Sequence, residues 1–222
     1  MRRALTTTGF AVALGLLATG IASAIDPADL NRITFANESG VTIEYLFFAP
    51  ADSNSWGADI LGAGRRIAPE DRVGFYIYYP SDLDSFDLLA VDENGDAYIV
   101  WDYRMPAEAP VVIRISEENL ESGYDAPTFA SVELENATEY DIWFAFFTPT
   151  DSSVAGIDVL EESRILEAGE TLSLRVPVET ETTEYLFQGV DVDRDTYRFT
   201  MEISSRRLVY RERIEFDYLV RD

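Results

Sequence analysis

The chain has 222 residues and a net charge of −24, from 41 acidic and 17 basic side chains, and it contains no cysteine, histidine or lysine. The missing cysteine excludes disulfides and thiolate nucleophiles. The missing histidine excludes Ser-His-Asp triads and histidine metal centres, and the missing lysine excludes Schiff-base catalysis. The acidic balance argues against nucleic acid and anionic lipid as partners.

The first 24 residues have the pattern of a secretory signal peptide. Arg2 and Arg3 precede an apolar stretch at 10–21, and the small residues at 22–24 form an Ala-x-Ala cleavage site. The stretch is shorter than the ~20 apolar residues that span a bilayer. We therefore expect cleavage after Ala24, no membrane insertion of the remaining chain, and a periplasmic or extracellular location.

The chain matches itself at an offset of 99 residues. The matched pairs include Asn37 and Asn136, Ile43 and Ile142, Pro50 and Pro149, Gly57 and Gly156, Asp59 and Asp158, and Tyr98 and Tyr197. One register holds over this span without a gap, which predicts two tandem copies of one module. We place repeat 1 at 25–116, an acidic linker that ends with Pro127 at 117–127, and repeat 2 at 128–222.

Each copy contains short runs of alternating apolar and polar residues, a pattern typical of half-buried strands. These runs lie at 32–37, 41–49, 65–68, 72–79, 86–92, 96–103 and 111–115, and at 132–136, 141–148, 164–167, 171–178, 185–191, 195–203 and 208–218. About seven strands per copy predict an all-β fold of two tandem β-sandwich modules, Ig-like or C2-like in topology.

The most closely repeated loop, at 50–61 and again at 149–160, is a candidate ligand site, because long loops on sandwiches often carry binding residues. The candidate ligand-binding residues are Asp52, Trp56, Asp59, Asp151 and Asp158. The alternative is a structural loop, in which Asp52 or Ser53 caps a turn and Gly57 allows a bend. The structural interpretation is favoured, because Trp56 becomes Ala155 in repeat 2.

A second candidate is an acidic turn that resembles the start of a calcium loop, with oxygen-bearing side chains at alternate positions. The candidate metal ligands are Asp92, Asn94, Asp96, Asp191, Asp193 and Asp195. The glutamate that such loops need at their twelfth position is replaced by Tyr103 in repeat 1. The alternative is a plain hairpin turn, which Asn94-Gly95 favours. We therefore expect no cofactor, with bound calcium as the one possibility that needs a test.

The two acidic loops of one repeat form a joint site only if they lie at the same end of the sandwich. If 65–68 is a strand, three strands separate the two loops, and an up-and-down chain places them at opposite ends. If 65–68 is a loop, only two strands separate them, and they lie at the same end. Exposed aromatic side chains are a further binding signature, and Trp56, Trp101 and Trp143 are the candidates. Trp143 replaces Glu44, at a position that looks solvent-facing.

The loop Ser-x-x-Trp-Gly-x-Asp-x-Leu-Gly at 53–62, with Phe47-Phe48 before it and an acidic turn before Tyr98, resembles a group of secreted bacterial β-sandwich modules. This resemblance implies no enzymatic activity. The leading hypothesis is an exported, non-enzymatic structural or binding protein with a protein or glycan partner. The alternatives are a calcium-stabilised adhesion or binding module and a carboxylate-dependent glycan hydrolase.

Overall fold

The structure is a computed structural model that describes residues 25–78, 85–106, 111–124, 127–152, 154–178 and 182–220. The all-β prediction is confirmed: this part of the chain holds fourteen strands and three short 3-10 helices, with no α-helix. None of its helices has the length and apolar character to cross a membrane. The predicted signal peptide at 1–24 lies outside the described residues.

The strands follow the predicted alternation closely. In the first half they are β1 (Asn31–Glu38), β2 (Ile43–Pro50), β3 (Arg72–Tyr78), β4 (Ser85–Asp92), β5 (Ala97–Arg104), β6 (Val111–Ser116) and β7 (Leu120–Glu121). In the second half they are β8 (Thr128–Asn136), β9 (Ile142–Pro149), β10 (Gly156–Ile157), β11 (Thr171–Val178), β12 (Thr183–Asp191), β13 (Thr196–Ile203) and β14 (Val209–Ile214). The 3-10 helices are Pro27–Asp29, Glu117–Asn119 and Phe216–Tyr218.

Each repeat folds its strands into two sheets with the same connections. In repeat 1, β1 pairs antiparallel with β3 and parallel with β6, while β4 pairs antiparallel with β2 and β5. In repeat 2, β8 pairs with β11 and β14, and β12 pairs with β9 and β13. The sheets of repeat 1 face each other, since the rings of Phe35 and Phe48 lie 5.3 Å apart across them.

Two predicted strands are shorter than expected. The segment 65–68 contributes a single bridge between Ile67 and Ile43, and 164–167 a single bridge between Leu166 and Ile142. In repeat 1 the pairing ends there because Pro69 has no N–H to donate and Glu70 turns the chain with a φ of 68°. The seventh strand of each half is instead the short β7 or β10.

A buried asparagine fixes this bridge in both repeats. Asn37 donates its side-chain N–H groups to the carbonyls of Val41 and Ile67, and its oxygen accepts from the N–H and hydroxyl of Ser39. Asn136 makes the equivalent four bonds in repeat 2. Because a buried amide is costly unless it is satisfied, these bonds explain why asparagine recurs at the 99-residue offset.

The two repeats exchange their long loops across an approximate two-fold axis. The β10 strand of repeat 2 pairs antiparallel with β3 of repeat 1. Just after it, the N–H of Asp158 donates to the carbonyl of Tyr76 at 2.8 Å. The N–H of Asp59 donates to the carbonyl of Arg175 at 2.8 Å, and these residues are the 99-residue equivalents of the first pair.

The segments that precede β1 and β8 are exchanged as well. Ile25 and Leu30 pack with Phe146 on the sheet of repeat 2. Tyr124, before β8, and Phe129, at the start of β8, pack with residues of the β2–β4–β5 sheet of repeat 1. One continuous cluster of buried side chains joins both repeats. The predicted linker also contributes β7, which pairs with β5. Because core and segments are shared, the domain limits at 116 and 128 stay predictions.

We expect the two repeats to unfold in one cooperative transition, because they share a core and a strand pairing. Asn37→Ala should lower the free energy of unfolding by roughly 3 kcal/mol, since buried polar groups lose their partner. Asn136→Ala should shift the same transition by a similar amount. Urea unfolding followed by circular dichroism measures both changes.

The control is Asn94→Ala, at an exposed turn position, which should move the midpoint far less. Two separate transitions, with each asparagine variant moving only one of them, would show that the repeats fold independently.

Candidate functional site

The long loop begins with the same tight turn in both repeats. The Ser53 hydroxyl donates to the carbonyl of Ser55, and the Ser152 hydroxyl donates to that of Val154, both at 2.9 Å. Asp52 and Asp151 are exposed. Asp151 accepts hydrogen bonds from the Ser53 hydroxyl and the N–H of Asn54, which join the two loops across the axis.

Asp59 and Asp158, two of the predicted ligand-binding residues, lie fully inside the protein. Oδ1 of Asp59 accepts the N–H groups of Leu46 and Leu61 at 3.0 and 3.1 Å. Oδ1 of Asp158 accepts the N–H groups of Ala145 and Leu160 at 2.9 and 3.0 Å. Each carboxyl group thus fastens its loop to the neighbouring strand of its own repeat.

The second oxygens of these carboxyl groups differ. Neither Oδ2 atom has a hydrogen-bond partner among the described residues. Oδ2 of Asp59, however, lies 3.5 Å from Nη1 of Arg175 in an ion pair, whereas no described cation influences Asp158 in this way. The position equivalent to Arg175 in the opposite repeat is Tyr76. Burial raises the pKa of Asp59 to about 6, against the opposing effect of its hydrogen bonds and Arg175. Burial raises the pKa of Asp158 to about 8.

The buried Asp158 predicts a pH-dependent stability. Its pKa is about 8 in the folded chain, against an ordinary value of 3.8, so folding takes up a proton between these pH values. The stability contributed by this group is complete below about pH 4 and is lost as the pH rises through the folded pKa, at up to about 1.4 kcal/mol per pH unit. We expect Asp158→Asn to match the wild type near pH 4 and to be more stable at pH 8, by urea unfolding.

Asp59→Asn is the matched control. This substitution removes a carboxylate that has a cation beside it. The stability of the variant relative to the wild type should therefore rise less with pH, and the rise should end near pH 6, where Asp59 titrates. Parallel stability curves for Asp158→Asn and the wild type from pH 5 to pH 8 would contradict the buried, protonated Asp158.

The candidate metal residues form hairpin turns. Oδ1 of Asp92 accepts the N–H groups of Asn94 and Asp96 at 2.8 and 2.9 Å, and Oδ2 accepts the Tyr98 hydroxyl at 3.4 Å. Asp191 makes the equivalent bonds to the residues that follow it, Asp193, Asp195 and Tyr197. Burial, reinforced by the charge of Asp191, raises the pKa of the Tyr197 hydroxyl. Asp92 and Asp191 are buried, while the side chains of their turns are exposed.

No group of three or more acidic side chains in the described part of the chain is arranged to hold a metal ion. Calcium binding by these turns stays a prediction. It can be tested by removing the carboxylate that accepts the hydrogen bonds of the turn. Asp92→Ala should lower the free energy of unfolding by roughly 2 kcal/mol, because it leaves two backbone N–H groups without an acceptor. We expect the same loss in calcium and in chelator, measured by thermal and urea unfolding.

Asp96→Ala, which removes an exposed carboxylate, is the control and should have little effect in either buffer. A wild-type melting temperature that rises with calcium, and no longer rises in Asp92→Ala, would show instead that the turn binds the ion.

The two acidic loops of repeat 1 lie at opposite ends of the sandwich. Pro50 pairs with Phe86 and Ile43 pairs with Asp92, so the two ends of β2 are separated by about 23 Å at ~3.3 Å per residue. Although 65–68 is not a full strand, the Ile67–Ile43 bridge shows that this connection returns to the start of β2. Asp52 and Asp92 therefore do not meet in a joint site.

A small cleft beside the loop of repeat 1 brings two tryptophans together. The rings of Trp56 and Trp101 lie 5.8 Å apart at an angle of 31°, and 57% of Trp101 is exposed. The cleft encloses about 120 Å³ and is lined by Ala49, Pro50, Ser53, Asn54, Ser55, Trp56, Asp87 and Trp101. A cavity of roughly 150 Å³ holds one benzene ring, so this smaller, open cleft can take in part of a ring but does not enclose one.

A β-bulge positions the polar and aromatic groups of this cleft. The register between β4 and β5 shifts between Phe86 and Leu88, and Asp102 takes a φ of 51°. The N–H of Asp102 donates to Oδ1 of Asp87 at 2.8 Å. Burial raises the pKa of Asp87, and this hydrogen bond opposes the rise. Bulges re-aim side chains next to functional sites, and here the bulge carries the exposed Trp101.

Repeat 2 lacks the residues that form this cleft. Ala155, Leu186, Thr200 and Met201 replace Trp56, Asp87, Trp101 and Asp102, and β12 and β13 pair in one unbroken register. The tryptophans were candidates from the sequence, but Asp87 was missed. The available indication was a carboxylate between Phe86 and Leu88, inside a strand that is otherwise apolar.

No model of a protein family matches the chain, and no curated protein matches it. Among solved structures, the chain is similar to a crystal structure of a "putative adhesin" from Bacteroides ovatus ATCC 8483, at 10% identity and a TM-score of 0.24. The similarity covers 84% of this chain and 89% of that chain. A TM-score this low supports no conclusion about the fold or function of the protein described here.

Proposed function

We propose that this protein is an exported, non-enzymatic binding protein whose first repeat binds a neutral glycan in the Trp56–Trp101 cleft. The observation that carries the proposal is the pairing of an exposed tryptophan with a second tryptophan in a cleft that Asp87 also lines. All three positions differ in repeat 2, although the two repeats share one topology. The fold therefore does not require these residues in the cleft.

The chemistry of the cleft suits a sugar ring. Trp101 offers a broad apolar ring on which the C–H face of a sugar can stack, and the open cleft can take in part of that sugar. Oδ2 of Asp87 and the side-chain carbonyl of Asn54, which both line the cleft, are suited to accept hydrogen bonds from sugar hydroxyl groups. A concave, partly apolar site with a few convergent polar groups is typical of small-ligand sites.

The charge of the chain favours a neutral ligand over an anionic one. With a net charge of −24, the protein repels phosphate, sulfate and uronate groups at long range. The one carboxylate that lines the cleft, in the part of the chain that the structure describes, is Asp87. Glycoside hydrolysis ordinarily uses two carboxylates that flank the scissile bond, so the cleft favours binding over the hydrolase alternative.

We expect Trp101→Thr, which installs the residue of repeat 2, to weaken glycan binding by roughly tenfold, equivalent to about 1.4 kcal/mol. The physical reason is the loss of the exposed stacking surface. Isothermal titration with cellohexaose, laminarihexaose and chitohexaose measures the affinity, and quenching of tryptophan fluorescence gives a second readout.

The matched control is Thr200→Ala at the equivalent position of β13, which should leave sugar affinity and the unfolding midpoint nearly unchanged. Equal sugar affinity in Trp101→Thr and the wild type would move the binding site elsewhere, and no binding of any of the three sugars would remove the glycan proposal.

A further inference from the structure

Repeat 2 carries a group of exposed apolar side chains around its acidic turn, which we call the turn-end patch. Its members are Tyr140, Trp143, Ile165, Val192 and Phe216, and each is between 39% and 46% exposed. None of them lines the cleft of repeat 1. Scattered single apolar residues on a surface are ordinary, whereas a contiguous group marks an interaction site.

The backbone pairing brings these side chains to one end of repeat 2. The bridge between Ile142 and Leu166 places Trp143 across from Ile165. On the other side, the N–H of Val192 donates to the carbonyl of Asp141, next to Tyr140. The rings of Tyr140 and Phe216 lie 6.0 Å apart, edge to face.

Repeat 1 shows that the fold does not need apolar residues there. The equivalent positions at the 99-residue offset hold Val41, Glu44, Arg66, Glu93 and Glu117. Glu44 and Arg66 form an ion pair with 2.7 Å between Oε1 and Nη2, and repeat 2 replaces both partners, by Trp143 and Ile165. A charged pair and two glutamates have thus been exchanged for apolar side chains on an unchanged backbone topology.

The rim of the patch is acidic. Tyr140 lies between Glu139 and Asp141, Val192 is followed by Asp193, and Phe216 lies between Glu215 and Asp217. These acidic residues outnumber the nearby Arg194 and Arg164, and Arg164 is paired with Glu170. A second copy of this chain would bring like charges together, since each copy carries −24, and an anionic membrane is repelled for the same reason. The surface is complementary to apolar side chains that are flanked by arginine or lysine.

We propose that the turn-end patch is a docking site for a basic protein segment whose apolar side chains cover Trp143 and Ile165. The aromatic side chains supply the central contact area, as they do in most protein interfaces. The acidic rim supplies orientation and speeds association at low salt. Together with the cleft of repeat 1, the patch would let one chain hold a glycan and a protein at separate sites.

The test uses the mature chain and a helical probe peptide that carries leucine on one face and lysine on the other. Isothermal titration at low salt gives the affinity, and the indole N–H resonance of Trp143 reports contact at the patch. The test variant is Trp143→Glu with Ile165→Arg, which recreates the Glu44–Arg66 pair of repeat 1 and leaves the net charge unchanged. We expect it to bind the peptide at least roughly tenfold more weakly, the loss typical of a central aromatic contact.

Two controls keep the result specific. A peptide of leucine and glutamate should not bind the wild type, and the double variant should keep its melting temperature and its sugar affinity, because it leaves the cleft intact. If the double variant does not fold, Val192→Gln at the exposed turn replaces it and should weaken peptide binding by a smaller factor.

Three outcomes would overturn the proposal. The first is that the wild type does not bind the peptide, or that the double variant binds it equally well. Either result would show that the patch does not contact the peptide. The second is concentration-dependent dimerisation of the wild type that the double variant abolishes, which would make a second copy the occupant. The third is binding of the wild type, but not the double variant, to phosphatidylcholine vesicles, which would make the patch a lipid contact.

Discussion

The structure depends on the reciprocal exchange of one loop between two repeats. Each loop leaves its own sandwich after β2 or β9, lies against the sheet of the other repeat and is fastened from within by a buried carboxyl group, Asp59 or Asp158. Because the carboxyl group accepts two backbone N–H groups, it holds the loop to its own repeat, in addition to the short β10 pairing with β3 that repeat 2 makes. The exchange turns two sandwiches, each of about a hundred residues, into a unit with one core, and it sets which surfaces remain free for binding.

The free surfaces are where the repeats differ. Several residues retained at the 99-residue offset, such as Asn37, Asp59 and Asp92 with their counterparts, are buried, and each makes two or more internal hydrogen bonds. The residues that differ most in character, such as Trp101 and Trp143, are exposed. Retention within this chain therefore indicates folding requirements, and divergence indicates candidate binding surfaces. This relation reverses the usual expectation that a repeated residue in a loop is a functional one.

Much of the fold follows from period-two alternation, because inward and outward positions of a strand differ in polarity wherever one face is buried. The predicted strand at 171–178 coincides with β11 for this reason. The segment 65–68 was also a predicted strand but pairs at only one residue, since Pro69 and the turn at Glu70 end its pairing. The loop exchange has no signature in alternation, because the pattern does not say which sheet covers an apolar face. For this reason the sequence suggested Asp59 as a ligand-binding residue, although it is buried. The sequence also did not predict the β-bulge that places Asp87 near Trp101.

The fusion of two copies in one chain explains how the surfaces could diverge at all. In a symmetric dimer of identical chains, every substitution appears twice. A tryptophan at this position would then be exposed on both subunits, and both subunits would lose the ion pair that Glu44 and Arg66 form in repeat 1. A tandem chain removes this coupling, and the cleft and the turn-end patch each occur once. The divergence of the repeats also affects the buried carboxyl groups of the exchanged loops. Arg175 places a cation 3.5 Å from Oδ2 of Asp59, whereas its counterpart Tyr76 brings no positive charge to Oδ2 of Asp158, which has no hydrogen-bond partner among the described residues. A buried carboxyl group of this kind is tolerated because it remains protonated, with its pKa raised to about 8, and its two backbone hydrogen bonds still hold the loop of repeat 2 in place.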